Sequence, residues 1–189
     1  MAHRRLSNII AFDDGAFAPF HRGDVPVVGA VFADLRLDGV VIGHVRRDGA
    51  NATRTLVRLV AGSKFAEHVR LVLLQGIALA GFNVVDVVSL HEALSVPVLV
   101  VTRRRPDDRA VRDALLRRVP GGRRKLALVG KLGRAEAVGG VFVQRVGLSP
   151  AEAEWVIDHF AVKGRIPEPL RTAHLIASAL AGGVSRGRA

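Results

Sequence analysis

Apolar positions along this chain fall into short runs, some unbroken and some alternating, punctuated by glycine, proline and aspartate. Residues 8–12, apolar without a break from Ile9, end at Asp13-Asp14-Gly15, which predicts a strand buried on both faces. Successive strand residues point to opposite faces, so Asp13 and Asp14 are expected on opposite sides of the sheet, with at most one in any metal cluster. Residues 27–32 and 40–45 read as an antiparallel hairpin, with its turn across 34–39 and Asp38-Gly39 as the turn signal. Asn51 or Thr53 can cap a helix to about Ala61, with Leu56, Val57 and Val60 on its apolar face.

The second half alternates differently. Leu71 to Leu74 is wholly apolar, stops at Gln75-Gly76, and is followed by a predicted helix over 83–94. A buried strand with a polar tip, a glycine turn and a capped helix is where open α/β sheets place their sites. Residues 97–101 predict a strand, and Pro106 opens a helix with Val111, Leu115 and Val119 one turn apart. Strands are expected at 125–129 and 141–146. Ser149-Pro150-Ala151-Glu152 is a capping-box start for the next helix, and residues 167–180 form the last. A strand and hairpin followed by helix–strand alternation predicts an α/β fold: a mixed sheet, antiparallel strands then parallel ones, with helices on both faces. The ribonuclease H-like topology has this order. Residues 1–189 are expected to form one domain, since pieces divided near Gly121-Gly122 would lack separate cores.

Composition narrows the function classes. The 49% apolar content excludes a disordered chain, and no apolar run reaches the roughly eighteen residues of a membrane span. The basic N-terminus is followed by too short an apolar stretch for a signal peptide, and cysteine is absent, so a cytoplasmic location is expected. Net charge is +11, and residues 103–125 hold ten basic side chains against three acids. Clustered arginine beside a globular core points to a polyanion, nucleic acid first; the plain alternative is a solvated arginine-rich surface. One tryptophan and no tyrosine argue against a broad base-stacking platform.

The standard nucleotide loops, the zinc-protease helix and the G-x-S-x-G nucleophile turn are all absent. Several phrases together resemble one family. They are Phe12-Asp13-Asp14-Gly15, Val27-Val28-Gly29-Ala30-Val31, Asp48-Gly49 with Ala52-Thr53, and Gln75-Gly76-Ile77 with Ala80-Gly81-Phe82-Asn83-Val84-Val85-Asp86. Others are Pro97-Val98 to Arg103, Gly164 to Arg171, Ala173-His174-Leu175-Ile176-Ala177-Ser178, and the terminal Ser185-Arg186-Gly187-Arg188-Ala189. Across nearly its whole length the chain resembles domain of unknown function 99, a mainly archaeal family placed near endonuclease V. The resemblance implies a ribonuclease H-like fold and a nuclease that holds Mg²⁺ or Mn²⁺ on acidic strand ends and cuts near a deaminated adenine. Hard oxygen ligands suit that ion, which activates water and offsets charge on phosphate oxygens. The first-strand acid of the pattern matches Asp13, and the position of its partner acid holds Gln75, which coordinates only through a neutral carbonyl oxygen.

The candidate catalytic residues are therefore Asp13, Asp14, Gln75, Asp86 and His174, with Asp13 and Asp14 the metal ligands. Gly15, Asp48, Gly76, Asn83 and Ser185 are candidate pocket residues, and Arg103, Arg104, Arg105, Arg186 and Arg188 candidate phosphate contacts. Each has a plainer reading. Asp13, Asp14 and Asp48 can be turn formers, and Gln75 can satisfy loop backbone. Asn83 and Asp86 have the spacing of an N-cap pair, His174 fits a core edge, and Arg186 and Arg188 fit a frayed tail. Three functions follow: a metal-dependent nuclease on DNA or RNA, a catalytically inactive nucleic-acid-binding module of the same fold, or an enzyme on a small anionic metabolite.

Overall fold

A computed structural model of the chain describes residues 6–185. β1 (Asn8–Asp14), β2 (Asp24–Ala33) and β3 (Arg36–Arg46) form an antiparallel meander. α1 (Ala52–Ala61) leads to β4 (Leu71–Gln75), which lies parallel to β1. A two-stranded ribbon, β5 (Ala78–Leu79) and β6 (Asn83–Val84), precedes α2 (Val87–Leu94) and β7 (Val98–Thr102), which is parallel to β4. Then come α3 (Asp108–Arg118), α4 (Gly122–Gly130), β8 (Glu136–Val138), β9 (Val141–Val146), α5 (Pro150–Phe160) and α6 (Glu168–Gly182). The main sheet runs β3-β2-β1-β4-β7-β9-β8, with β9 antiparallel to β7.

Strand periodicity divides the core in two. Ile10, Phe12, Val72, Leu74, Val98 and Val100 face α1 and α2, where Leu56 and Leu90 meet them. Ile9, Ala11, Leu71, Leu73, Leu99 and Val101 face the opposite way, toward Val156 and Phe160 of α5 and Leu170 of α6. Both faces of β1, β4 and β7 are thus buried, which is why their sequences are unbroken apolar runs rather than alternating ones. The carboxyl ends of β1 and β4 leave this core side by side, and their polar tips are Asp13-Asp14 and Gln75.

The mixed sheet with helices on both faces agrees with the expected architecture, but three local expectations are corrected and one short strand is added. The hairpin turn is Asp34-Leu35, with Asp34 at φ +56°, so Asp38-Gly39 lies inside β3. Residues 125–129 are helical, within α4, because Lys125 turns inward while its neighbours follow a helical and not a two-residue period. Asn83 belongs to β6 rather than to a helix; α2 starts at Asp86, whose carboxylate accepts a bond from Ser89 N. β8 carried no hydrophobic signal, since it is a short edge strand with two exposed residues. α5 begins as predicted, with the reciprocal Ser149–Glu152 capping box.

Candidate active site at the strand ends

The tips of β1 and β4 open into a cleft of about 580 Å³, bordered by Asp13, Asp14, Gln75, Arg103, His174 and Thr102 among others. Asp13 and Asp14 do leave β1 on opposite faces. Asp13 turns toward α6, where His174 Nδ1 donates to its Oδ2 at 2.8 Å. Asp14 turns toward the β5–β6 ribbon, where Ala80 N–H donates to its Oδ2 at 3.1 Å. Both nevertheless border one cleft, because the sheet stops there and no longer separates its two faces.

Gly15 makes the junction possible. A β-carbon there would lie 2.9 Å from Pro26 Cγ and 3.1 Å from the Ala177 carbonyl oxygen, so a side chain would push α6 off the strand end. That approach sets His174 against Asp13. Gly76 turns the chain at the tip of β4 with φ +80°, a conformation glycine adopts without strain.

Asp13 is buried, and both of its oxygens are engaged: Oδ1 accepts from Asp14 N at 2.9 Å and Oδ2 from His174. A carboxylate only accepts, so His174 Nδ1 carries the proton in this pair. The bond to Asp13 raises the His174 pKa above its ordinary value, opposed by burial and by the nearby Arg103 charge. His174 Nε2 is buried without a partner, and so is Gln75 Oε1. Asp14 is pushed up to about 6, chiefly by burial and then by the Asp13 charge beside it. A dication would remove that repulsion.

Among the described residues, no group of three His, Asp or Glu side chains is arranged to hold a metal. The cleft offers instead two carboxylates and the orphan carbonyl oxygen of Gln75. Oxygen donors of this kind are the type that a hard divalent cation prefers.

Other sequence candidates lie elsewhere. Asp48 and Asp86 border a second cavity of about 660 Å³, formed by α1, α2, α4 and the β3–α1 loop. Asp86 is occupied as the α2 cap and by an ion pair with Lys131 at 3.0 Å. Asp48 Oδ1 accepts from Phe82 N at 2.8 Å, and its Oδ2 pairs with Arg47 at 3.3 Å. Neither supplies an oxygen to the Asp13 cleft. Asn83 is fully buried: its Oδ1 accepts from Ala52 N, and its Nδ2 donates to Arg46 O and Asn51 Oδ1. It ties the β3–α1 junction together and lines neither cavity. Ser185 borders a shallow groove along α6 with Leu175 and Leu180.

Arg103 borders the cleft, whereas Arg104 and Arg105 are exposed beyond it, with Arg105 5.1 Å from the centre of the Phe142 ring. Arg186 and Arg188 lie outside the described residues. Sequence reasoning missed Thr102, at the tip of β7, and Ser178, one helical turn beyond His174; both border the cleft. The A-H-x-x-x-S spacing on one helix face was the available signal for Ser178.

Among the described residues no helix is long and apolar enough to cross a membrane. The sequence model of the endonuclease dU family matches residues 5–181. A UPF0215 protein of Deinococcus radiodurans is 56% identical over 186 residues, covering 98% of this chain and 93% of that protein. The crystal structure of a protein of unknown function from Archaeoglobus fulgidus is 34% identical, with a TM-score of 0.86 over 93% of this chain and 99% of that one. Endonuclease V of Ciona intestinalis, in complex with a 24-mer DNA containing an inosine followed by a ribo-adenosine, aligns at 13% identity. Its TM-score is 0.55, over 89% of this chain and 83% of that one, a likeness of fold, which is ribonuclease H-like.

Proposed function

The chain belongs to the endonuclease dU family, and on that premise we propose that it is a divalent-metal-dependent endonuclease. Its substrate is a nucleic-acid strand carrying a deaminated base, deoxyuridine before inosine, given the family's name. The observation that carries the reading is the convergence of Asp13, Asp14, Gln75, His174 and Arg103 on one cleft at the strand ends.

Asp13, Asp14 and Gln75 would hold Mg²⁺ or Mn²⁺, which supplies an activated water and offsets charge on the scissile phosphate. Arg103, exposed at the rim, grips a strand phosphate. The bond to Asp13 favours the protonated form of His174, and its unpartnered Nε2 is the atom left to donate to a phosphate oxygen or to the departing oxygen. Ala80 N–H holds Asp14 in place from the other side. The neutral amide of Gln75 favours a second reading, in which the same cleft binds a strand without cutting it.

End-labelled DNA carrying one deoxyuridine, one inosine or neither separates the two readings. The expected result is a nick beside deoxyuridine that needs Mg²⁺ or Mn²⁺ and disappears in EDTA. Salt-sensitive binding without any nick would replace the enzyme by the binding module. Equal cutting of all three strands would remove the deaminated-base specificity.

A further inference from the structure

The cavity around Asp48 and Asp86 has a charge balance that its lining alone conceals. Both acids are neutralised by bases outside it, Asp48 by Arg47 and Asp86 by Lys131. The cations that line it are not. Arg54 and Arg124 make no ion pair among the described residues and are exposed at its mouth. Lys125 is buried, and its Nζ makes one hydrogen bond, to the Asp48 carbonyl oxygen at 2.6 Å, though an ammonium has three protons to give. Burial lowers the Lys125 pKa, with the Asp48 charge opposing, as expected of an ammonium with no full counter-charge. The remaining protons of Lys125 Nζ have no protein acceptor among the described residues, so they are left for water or an anion in the cavity.

The chain geometry adds to the charge. Pro120-Gly121-Gly122 turns into the first turn of α4, with Gly121 at φ +68°, and Pro120 and Gly121 line the cavity beside Arg124 and Lys125. Val57, Val84 and Leu128 give it an apolar wall. We propose that this cavity is a second anion site, built for the phosphate of a nucleotide whose sugar or base rests on the apolar wall.

The site is distinct from the cleft yet joined to it. Lys125 bonds Asp48 O; Asp48 N donates to Ala80 O at 2.9 Å; Ala80 N donates to Asp14 Oδ2 at 3.1 Å. Asp48 and Ala80 both hold left-handed conformations, φ +52° and +48°, which non-glycine residues keep only where the surroundings enforce them. A phosphate drawing on Lys125 therefore acts on the segment that positions Asp14. The inference does not depend on strand cutting, since the nucleotide can be free or part of a strand.

Calorimetric and polarisation titrations of the full chain in EDTA test this, with inorganic phosphate, deoxythymidine monophosphate and a short undamaged DNA strand as probes. The variants are the exposed pair Arg54→Gln/Arg124→Gln and, separately, Lys125→Met, each checked by thermal melting. If the ligand is a free nucleotide, monophosphate affinity falls about tenfold or more in both variants. If the phosphate belongs to a strand, the monophosphate binds weakly throughout, while strand affinity falls and its salt slope drops by about one per lost contact. Unchanged affinity for all three probes in the arginine pair would overturn the proposal, whatever the nicking assay gives.

Discussion

The Asp13 cleft and the Asp48 cavity are built from similar sequence, short aspartate-rich ends of strands next to glycine, yet they differ in what their acids are free to do. In the cavity each carboxylate is consumed by structure: Asp48 by Phe82 N and Arg47, Asp86 by its cap and Lys131. In the cleft two acids share a buried space, Asp14 is pushed up to about 6, and Gln75 Oε1 and His174 Nε2 have no partner. Satisfied acids hold a fold together; crowded acids beside orphan polar atoms are poised for a ligand. Under the proposed function the reactive chemistry belongs to the first region, and the second keeps its unpaired cations.

The sharpest way to break that division is to remove one acid from each region. Asp13→Asn keeps the shape of the side chain but turns one acceptor into a donor, so a modest loss of stability is expected. Metal-dependent nicking of deoxyuridine DNA by the folded variant should fall by about 10³-fold or more. A variant that nicks at the wild-type rate would move the chemistry out of the cleft. Asn83→Leu is the structural counterpart. It strips three hydrogen bonds from a fully buried side chain, and a chemical melt should show a loss of about 3 kcal/mol, carried by the unpaired Ala52 and Arg46 groups. A loss below about 1 kcal/mol would mean the β3–α1 junction does not depend on it.

How much of this was legible in the sequence depended on distance along the chain. The runs in β1, β4 and β7 and the Ser149 capping box are local signals, and the strands and helix they predict form at those places. Residues 125–129 misled because the four-residue apolar run at 126–129 fits a strand or a piece of helix equally, and the inward turn of Lys125 is a tertiary fact. Asp13, Asp14 and Gln75 could be nominated from strand ends, and the cleft gathers all three. Asp48 and Asp86 could be nominated the same way, and they lie elsewhere, since which loops converge is decided by packing. The His174–Asp13 bond spans 161 residues and has no local signature.

Acidity offers a third way to sharpen the contrast. Asp14 has its folded pKa raised from 3.8 to about 6, so the folded state holds a proton that the unfolded chain has released. Its contribution is present in full below about pH 4 and is lost as pH rises through 6, worth up to about 3 kcal/mol. Melting temperature without metal should therefore fall across that window, and Asp14→Asn should flatten the decline. An equal decline in Asp14→Asn would place its origin in another group. The smallest effect is expected at the rim, where Arg103→Gln should weaken strand binding by about tenfold or less and lower the salt slope by about one. An unchanged slope would remove Arg103 from the phosphate contacts.

The most direct test of the division is a calorimetric Mn²⁺ titration of the wild-type chain, Asp13→Asn and Asp48→Asn at one pH above 6. Binding that survives in Asp48→Asn and is lost in Asp13→Asn is the predicted result. Binding that survives in Asp13→Asn and is lost in Asp48→Asn would place the cation in the other cavity and contradict it.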